Sequence, residues 1–246
     1  MRYLILSDLH ANWEALQAVL ADAPPGYDRI LCCGDVVGYG ADPDSVTEWV
    51  RGNVANIVRG NHDKACAGLE DLEWFNPMAK LSALWTQEVI ERENLAYLRD
   101  LGQGPERIDG FEILHGSPVD EDEYLFSEQE VAQVAPYLNV PVTFFGHTHV
   151  QGGFLCHRNG IKRLRRVDAE SNEAVLELEN DMDYMVNPGS VGQPRDGDPR
   201  AAYALYDHEA RLVTLRRVVY DVGVAQKKII DAGLPEMLAL RLAAGM

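Results

Sequence analysis

Nine side chains able to bind metals or move protons stand in five short clusters along this 246-residue chain. They are Asp8 and His10; Asp35; Asn61, His62 and Asp63; His115; and His147 with His149. Five of the seven histidines in the chain belong to this set. Carboxylate, imidazole and amide donors in this mixture suit borderline divalent metals such as Mn, Fe, Zn, Co or Ni. No thiolate joins them, which argues against a closed structural zinc site. A carboxylate standing between two groups of ligands can bridge two metals. Such a pair, about 3.5–4 Å apart, holds a hydroxide and clamps a phosphoryl group for in-line attack.

Each cluster alone has a plainer explanation. Asp8-Leu9-His10 could be a helix start with a buried histidine, Gly34-Asp35 a turn, and His115 a core histidine. The conjunction is what points to chemistry, because all five clusters fall where apolar runs stop. Asp8 and His10 follow Tyr3-Leu4-Ile5-Leu6, and Asp35 follows Ile30-Leu31-Cys32-Cys33. Asn61 and His62 follow the run 54–58, His115 follows Phe111-Glu112-Ile113-Leu114, and His147 and His149 follow the run 142–145. Ligands bind outside the carboxyl ends of strands in an open parallel sheet, so one rim can collect all of them.

Helical spacing separates the apolar runs. Asn12 can cap a helix carrying Trp13, Leu16 and Leu20 on one face. Asp42-Pro43 opens a second, with Val46, Trp49 and Val50. Asn76-Pro77 starts a longer one with Leu81, Leu84, Trp85 and Ile90. Ser127-Glu128-Gln129-Glu130 has the form of a capping box. This alternation implies parallel strands buried on both faces. After about residue 150 the pattern changes to alternating apolar and polar residues near 152–156, 161–167, 173–179, 184–187, 201–207 and 211–220. That predicts an antiparallel meander forming a second sheet. A helical tail from about Val224, broken at Gly233-Leu234-Pro235, closes the chain. The expectation is one domain over 1–246, with a motif-bearing half at 1–150 and a second-sheet half with C-terminal helices at 151–246.

The ordered set D-x-H, G-D, G-N-H-D, H and G-H-x-H resembles the calcineurin-like metallophosphoesterase superfamily. The stretch Asn187-Pro188-Gly189-Ser190-Val191-Gly192-Gln193-Pro194-Arg195 resembles its bacterial and archaeal phosphodiesterase branch. The resemblance implies an α/β fold, a four-layer α/β/β/α sandwich of two mixed sheets flanked by helices. It implies that Asp8, His10 and His149 bind one metal, that Asn61, His115 and His147 bind another, and that Asp35 bridges them. His62 would face the leaving-group oxygen, and Asp63 would hold the His62 imidazole in orientation. Serine/threonine phosphatases of the superfamily carry G-D-x-V-D-R-G and G-N-H-E. Here Gly34-Asp35-Val36-Val37-Gly38-Tyr39-Gly40 lacks that arginine, which disfavours a protein phosphatase.

On the substrate side, Asn187, Arg195 and Arg200 are the candidate contacts. Either arginine could meet a phosphate, or pair instead with Asp196 and Asp198. Lys162, Arg163, Arg165 and Arg166 read as a solvated basic face, and Asp120-Glu121-Asp122-Glu123 as a solubilising acidic turn.

The formal net charge of −17 disfavours a long polyanionic partner such as duplex DNA or RNA. Bound metals would still give a small phosphorylated substrate a local positive field. No apolar run approaches the ~20 residues of a membrane span, and the N-terminus has no signal-peptide form, so a cytoplasmic protein is the expectation. Cys32, Cys33, Cys66 and Cys156 read as reduced core residues. The functional expectation is a phosphoric ester hydrolase holding two divalent metals, manganese foremost. It would act on small phosphodiesters or nucleotides through a metal-bridging hydroxide. The alternatives are a dinucleoside polyphosphate hydrolase, a protein phosphatase, or a non-catalytic protein-binding scaffold of the same fold.

Overall fold

The computed structural model describes residues 1–246, the side chain of Trp74 excepted. In chain order the strands are β1 (Arg2–Leu6), β2 (Arg29–Cys32), β3 (Asn56–Ile57), β4 (Glu106–Ile108), β5 (Phe111–Ile113) and β6 (Val142–Phe144). They continue with β7 (Gly152–His157), β8 (Gly160–Arg163), β9 (Glu173–Glu177), β10 (Asp183–Asn187), β11 (Ala201–Asp207) and β12 (Leu212–Val218). The helices are α1 (Trp13–Asp22), α2 (Pro43–Asn53), α3 (Asn61–Cys66), α4 (Pro77–Val89), α5 (Arg92–Asp100), α6 (Glu128–Val134), α7 (Val222–Asp231) and α8 (Glu236–Ala244).

Two six-stranded mixed sheets stack face to face, in the orders β3-β2-β1-β11-β12-β9 and β4-β5-β6-β10-β7-β8. Tyr3, Ile5 and Leu31 of the first sheet meet Phe111, Ile113, Phe144 and Val186 of the second in one apolar layer. On the outer face of the first sheet, Leu4, Leu6 and Cys32 pack with Leu16, Val46 and Ala83 of the helices. On the outer face of the second, Phe145, Phe154 and Met185 cover Val131 and Val134 of α6. The architecture is the α/β/β/α sandwich. β1 is buried on both faces beyond Arg2, as its unbroken apolar run requires, whereas β12 alternates.

The division of sheets at residue 150 does not hold. The fourth and fifth motif-bearing strands, β5 and β6, lie in the second sheet, and β9, β11 and β12 return to the first. β11 pairs antiparallel with β1, placing Leu4 opposite Leu205. Alternation tells which face of a strand is buried, not which strand lies beside it, so the pattern could not assign these edges. The ligands therefore sit on two adjoining rims: β1, β2 and β3 run parallel in one sheet, and β5, β6 and β10 in the other.

Local signals fared better. Asn12 and Asn76 cap their helices by accepting from Ala15 N and Ala79 N, and Ser127 and Glu130 form the capping box. In α4, Leu81 and Leu84 are exposed, and Ala79, Ser82, Ala83 and Thr86 are buried, so the helix lies in close with its small residues. All four cysteines are free and buried. Among the described residues, no helix is long and apolar enough to cross a membrane.

Candidate metal centre

The loops that leave the strands are held in an unusual backbone. Asp8, His10, Asp35, His147 and His149 all have positive φ, between 48° and 65°. This left-handed conformation is unfavourable for residues other than glycine and persists only where surrounding structure imposes it. Asp8 N donates to Gly34 O at 3.0 Å and His10 N to Asp35 O at 3.0 Å, which ties the first two loops together. His147 N donates to Asp8 Oδ1 at 3.1 Å and so joins the rims of the two sheets. Gly60 is required because a Cβ there would collide with the Asp35 carboxylate.

Two groups of ligand atoms result. Asp8, His10, Asp35 and His149 converge in one, and Asp35, His115 and His147 in the other. Asp35 belongs to both. Its Oδ1 accepts from His62 N at 2.9 Å. Its Oδ2 is buried without a hydrogen-bond partner and lies 3.6 Å from His10 Nε2 and 3.5 Å from His115 Nε2. Asp8 Oδ2 is likewise buried and unpartnered. Asn61 Oδ1 stands 3.3 Å from His115 Nε2, which adds an amide oxygen to the second group.

Carbonyls fix the ring orientations. The Nδ1 atoms of His10, His115 and His149 face Val37 O, Cys33 O and Gln193 O at 3.0, 2.8 and 2.6 Å. A carbonyl only accepts, so each Nδ1 carries the proton and each Nε2 presents a lone pair inward. His147 is reversed: its Nε2 donates to Asp122 O at 3.0 Å, leaving Nδ1 for the centre.

Burial drives the imidazoles of His10, His147 and His149 well below their ordinary range, so they are neutral donors. Burial also pushes the Asp8 carboxyl up to about 7. For His115, burial is opposed and outweighed chiefly by the negative charge of Asp35, which holds the imidazole up at about 9. A divalent cation between these groups favours ionised Asp8 and neutral His115. Two buried carboxylate oxygens without donors, Asp8 Oδ2 and Asp35 Oδ2, facing imidazole nitrogens are a donor set that fits such a cation.

The model of the calcineurin-like phosphoesterase family matches residues 1–151. The chain belongs to this family. An uncharacterized protein of Methanocaldococcus jannaschii is 38% identical, with 98% of this chain and 97% of that protein covered. A metallophosphoesterase structure from Sphaerobacter thermophilus superposes with a TM-score of 0.85 at 40% identity, covering 100% of this chain and 99% of the other. A hypothetical protein from Pyrococcus horikoshii shares the fold at a TM-score of 0.77 and 21% identity, over 100% of this chain and 98% of that one.

Beside the two ligand groups, His62 lines a cleft of about 390 Å³ together with Tyr39, Asn61, Phe75, Tyr124 and His147. Its ring packs on Tyr39 at 4.3 Å and stands edge-on to His10 at 5.0 Å between centroids. His62 Nδ1 is buried without a partner, and burial lowers the imidazole to about 4. The expected Asp63–His62 contact is a correction. The Asp63 carboxylate accepts instead from Asp35 N, Val36 N and Gly60 N at 2.9, 2.8 and 2.9 Å, and from Val37 N at 3.3 Å. Its acceptor capacity is taken by backbone, and it ties the Asp35 loop to the Gly60 loop.

The three substrate-side candidates separate. Asn187 donates to Gly146 O and Thr148 Oγ1 at 3.0 Å each and accepts from Gly189 N at 2.8 Å, so its amide is occupied in bracing the His147 loop. Arg200 is held by Asp198 and by Ser171 O, each at 2.6 Å at closest, which resolves it toward pairing. Arg195 does not pair with Asp196. It reaches Tyr39 Oη at 3.2 Å and Gln193 Oε1 at 3.1 Å, beside the ligand rings.

The acidic turn is also more than a solubilising loop. Glu121 forms a two-pronged pair with Arg59 at 3.0 and 2.8 Å and accepts from Lys64 at 3.1 Å. That fixes the Asp122 carbonyl against His147. Tyr124, two residues on, stacks on the His147 ring at 3.7 Å between centroids. Nothing in its sequence context marked it.

Proposed function

We propose that this chain is a two-metal phosphodiesterase acting on small phosphodiesters or nucleotides. The observation that supports it most is Asp35 Oδ2: buried, unpartnered, and shared between the two ligand groups. In this reading Asp8, His10 and His149 hold one ion, Asn61, His115 and His147 hold the other, and Asp35 bridges. Manganese leads the candidate metals, and Fe, Zn, Ni and Co suit the same donors. When bound, two divalent ions supply Lewis-acid stabilisation of the phosphoryl oxygens and activate water as the nucleophile.

The chain's own groups do the rest. The cleft beneath Tyr39 and Tyr124 seats the ester. Arg195 brings a fixed positive charge to a non-bridging phosphoryl oxygen. Water oxygen bonds to phosphorus and releases a proton to solvent while the ester P–O bond breaks, and the departing oxygen takes up a proton from solvent in return. His62 lines the cleft at that position and donates an N–H to the departing oxygen. With the imidazole largely neutral near pH 7, it acts as a hydrogen-bond donor already in place. The absence of the phosphatase arginine after Asp35 favours small diesters over phosphoproteins.

The test is turnover of bis(p-nitrophenyl) phosphate after loading with Mn, alongside monoesters and dinucleoside polyphosphates. Folded Asp35→Asn and His147→Ala variants are expected to lose at least about 100-fold in turnover and to bind less metal. Normal diester turnover by either variant would overturn the reading. A wild-type protein that takes up no metal and stays inert would favour the scaffold alternative.

A further inference from the structure

A second cleft, of about 980 Å³, opens beside the metal centre and is lined by Arg163, Arg165, Arg166 and Arg195. Thr148 also lines it, and Thr148 stands between the ligands His147 and His149. The two clefts are thus separated by a single segment of chain.

The charge here runs against the rest of the molecule. In a chain with 39 acidic and 22 basic residues, four arginines gather on one wall. Three carboxylates face them: Asp168, Glu173 and Asp196. Asp196 is taken by the buried Arg217, and Glu173 by Arg216 at 2.9 Å. Arg166 donates to Asp196 O at 3.4 Å and lies 4.0 Å from the carboxylate that Arg217 already holds, and among the described residues Arg163, Arg165 and Arg195 form no salt bridge. Arg163 and Arg165 donate to the carbonyls of Phe126 and Val175. Arg195 Nε is buried with no partner at all. Three arginines without an ion-pair partner and a fourth that shares Asp196 outnumber the one remaining carboxylate, Asp168, and can take an anion brought from outside.

Aromatic surface links the two clefts. Tyr124, in the metal-side cleft, and Phe126, in the arginine cleft, stack at 5.4 Å with their rings 6° from parallel. Tyr124 and Phe126 are 43% and 46% exposed; His147 covers one face of Tyr124, and the rest of the pair stays open to solvent between two charged sites. A planar heterocycle can lie on such a surface, as bases do on exposed aromatics.

We propose that the arginine cleft binds a second phosphate of the substrate, with the intervening base on Tyr124 and Phe126. The substrate class is then a nucleotide with at least two separate phosphates, the scissile diester at the metals and a terminal phosphate at Arg163 and Arg166. This deepens the phosphodiesterase reading and rests on it for the scissile group.

The test uses the Mn-loaded full chain, the Arg163→Ala/Arg166→Ala variant, and Arg166→Ala alone in case the double variant folds poorly. In calorimetry, wild type is expected to bind AMP at least tenfold more tightly than the double variant does, and more tightly than it binds adenosine. In kinetics, wild type is expected to prefer the 5′-phosphorylated dinucleotide pApA over ApA at least tenfold in kcat/KM. The double variant is expected to lose that preference through KM. Equal AMP affinity in wild type and both variants, or no preference for pApA in a wild type that cleaves ApA, overturns the second site. AMP binding that depends on the arginines in a protein that cleaves no diester supports the cleft while sinking the phosphodiesterase reading.

Discussion

His10 Nε2 and His149 Nε2 face each other across 3.1 Å, each on a ring whose Nδ1 proton is committed to a carbonyl. Two lone pairs at that distance repel unless something positive lies between them. The repulsion is built into the fold, because the Val37 and Gln193 carbonyls leave neither ring free to turn over. Metal binding should therefore stabilise the folded chain as well as equip it. At 100-fold excess over its Kd, a ligand of the native state adds about 2.7 kcal/mol. Chelation is expected to lower the Tm by several degrees and added Mn to restore it. His149→Ala, with the repulsion gone, is expected to show a smaller loss on chelation. An unchanged Tm on complete removal of metal would contradict this account.

Asp63 offers a stability prediction distinct from any effect on His62. Its carboxylate gathers four backbone N–H groups from two loops. Leaving a buried donor unsatisfied costs about 1–3 kcal/mol, and here several backbone N–H groups lose their acceptor together. Asp63→Ala is expected to lose stability of that order and to fall in metal affinity, because Asp35 is no longer held against Gly60. Thermal unfolding and metal titration check both. A fully stable variant with altered pH dependence of turnover would instead favour the His62-orienting role.

The difference between what was legible and what was not follows from range. The ligand clusters were readable because each combines a buried strand with a polar turn, a conjunction contained within ten residues. Asp8-Leu9-His10 and Gly146-His147-Thr148-His149 are of this kind, and the structure brings both to one centre. The helix caps at Asn12 and Asn76 are equally local. What failed was non-local. The alternation of β11 could not say that it lies beside β1. Tyr124 gained its meaning only when His147 came under its ring.

The acidic turn gives a pH-dependent expectation. Burial raises the Glu121 carboxyl, but hydrogen bonds from Arg59 and Lys64 outweigh it and hold the group below its ordinary range. With the folded pKa depressed, its contribution to stability is present above the unfolded value of about 4.3. It is lost as the pH falls through the folded value. Glu121→Gln is expected to be less stable than wild type at pH 7 by about 1 kcal/mol, because the pair is partly screened. The gap should close as the pH is taken below the folded value. Acid unfolding curves of both proteins decide it, and a gap of constant size down to low pH would mean the charge on Glu121 is irrelevant.

Arg195 and Arg200 stand five residues apart in one loop and are expected to behave oppositely. Arg200 is bound by Asp198, Ser171 O, Asn172 Oδ1 and the Asp168 carbonyl, all within 3.2 Å. Arg200→Ala breaks that cluster and should cost about 1–3 kcal/mol of stability. It should leave diester kcat/KM within about twofold, since its guanidinium is turned away from the ligand rings toward the Asp168–Asn172 turn. Arg195 instead lies over the Tyr39 ring at 5.6 Å, and its Nε has no partner. Arg195→Ala should change stability little and reduce diester kcat/KM by about tenfold or more, the loss of one charge-assisted contact at 1.4 kcal/mol per tenfold. Thermal melts and steady-state kinetics on the same two preparations separate the roles. Similar activity losses in both variants would return Arg200 to the substrate side.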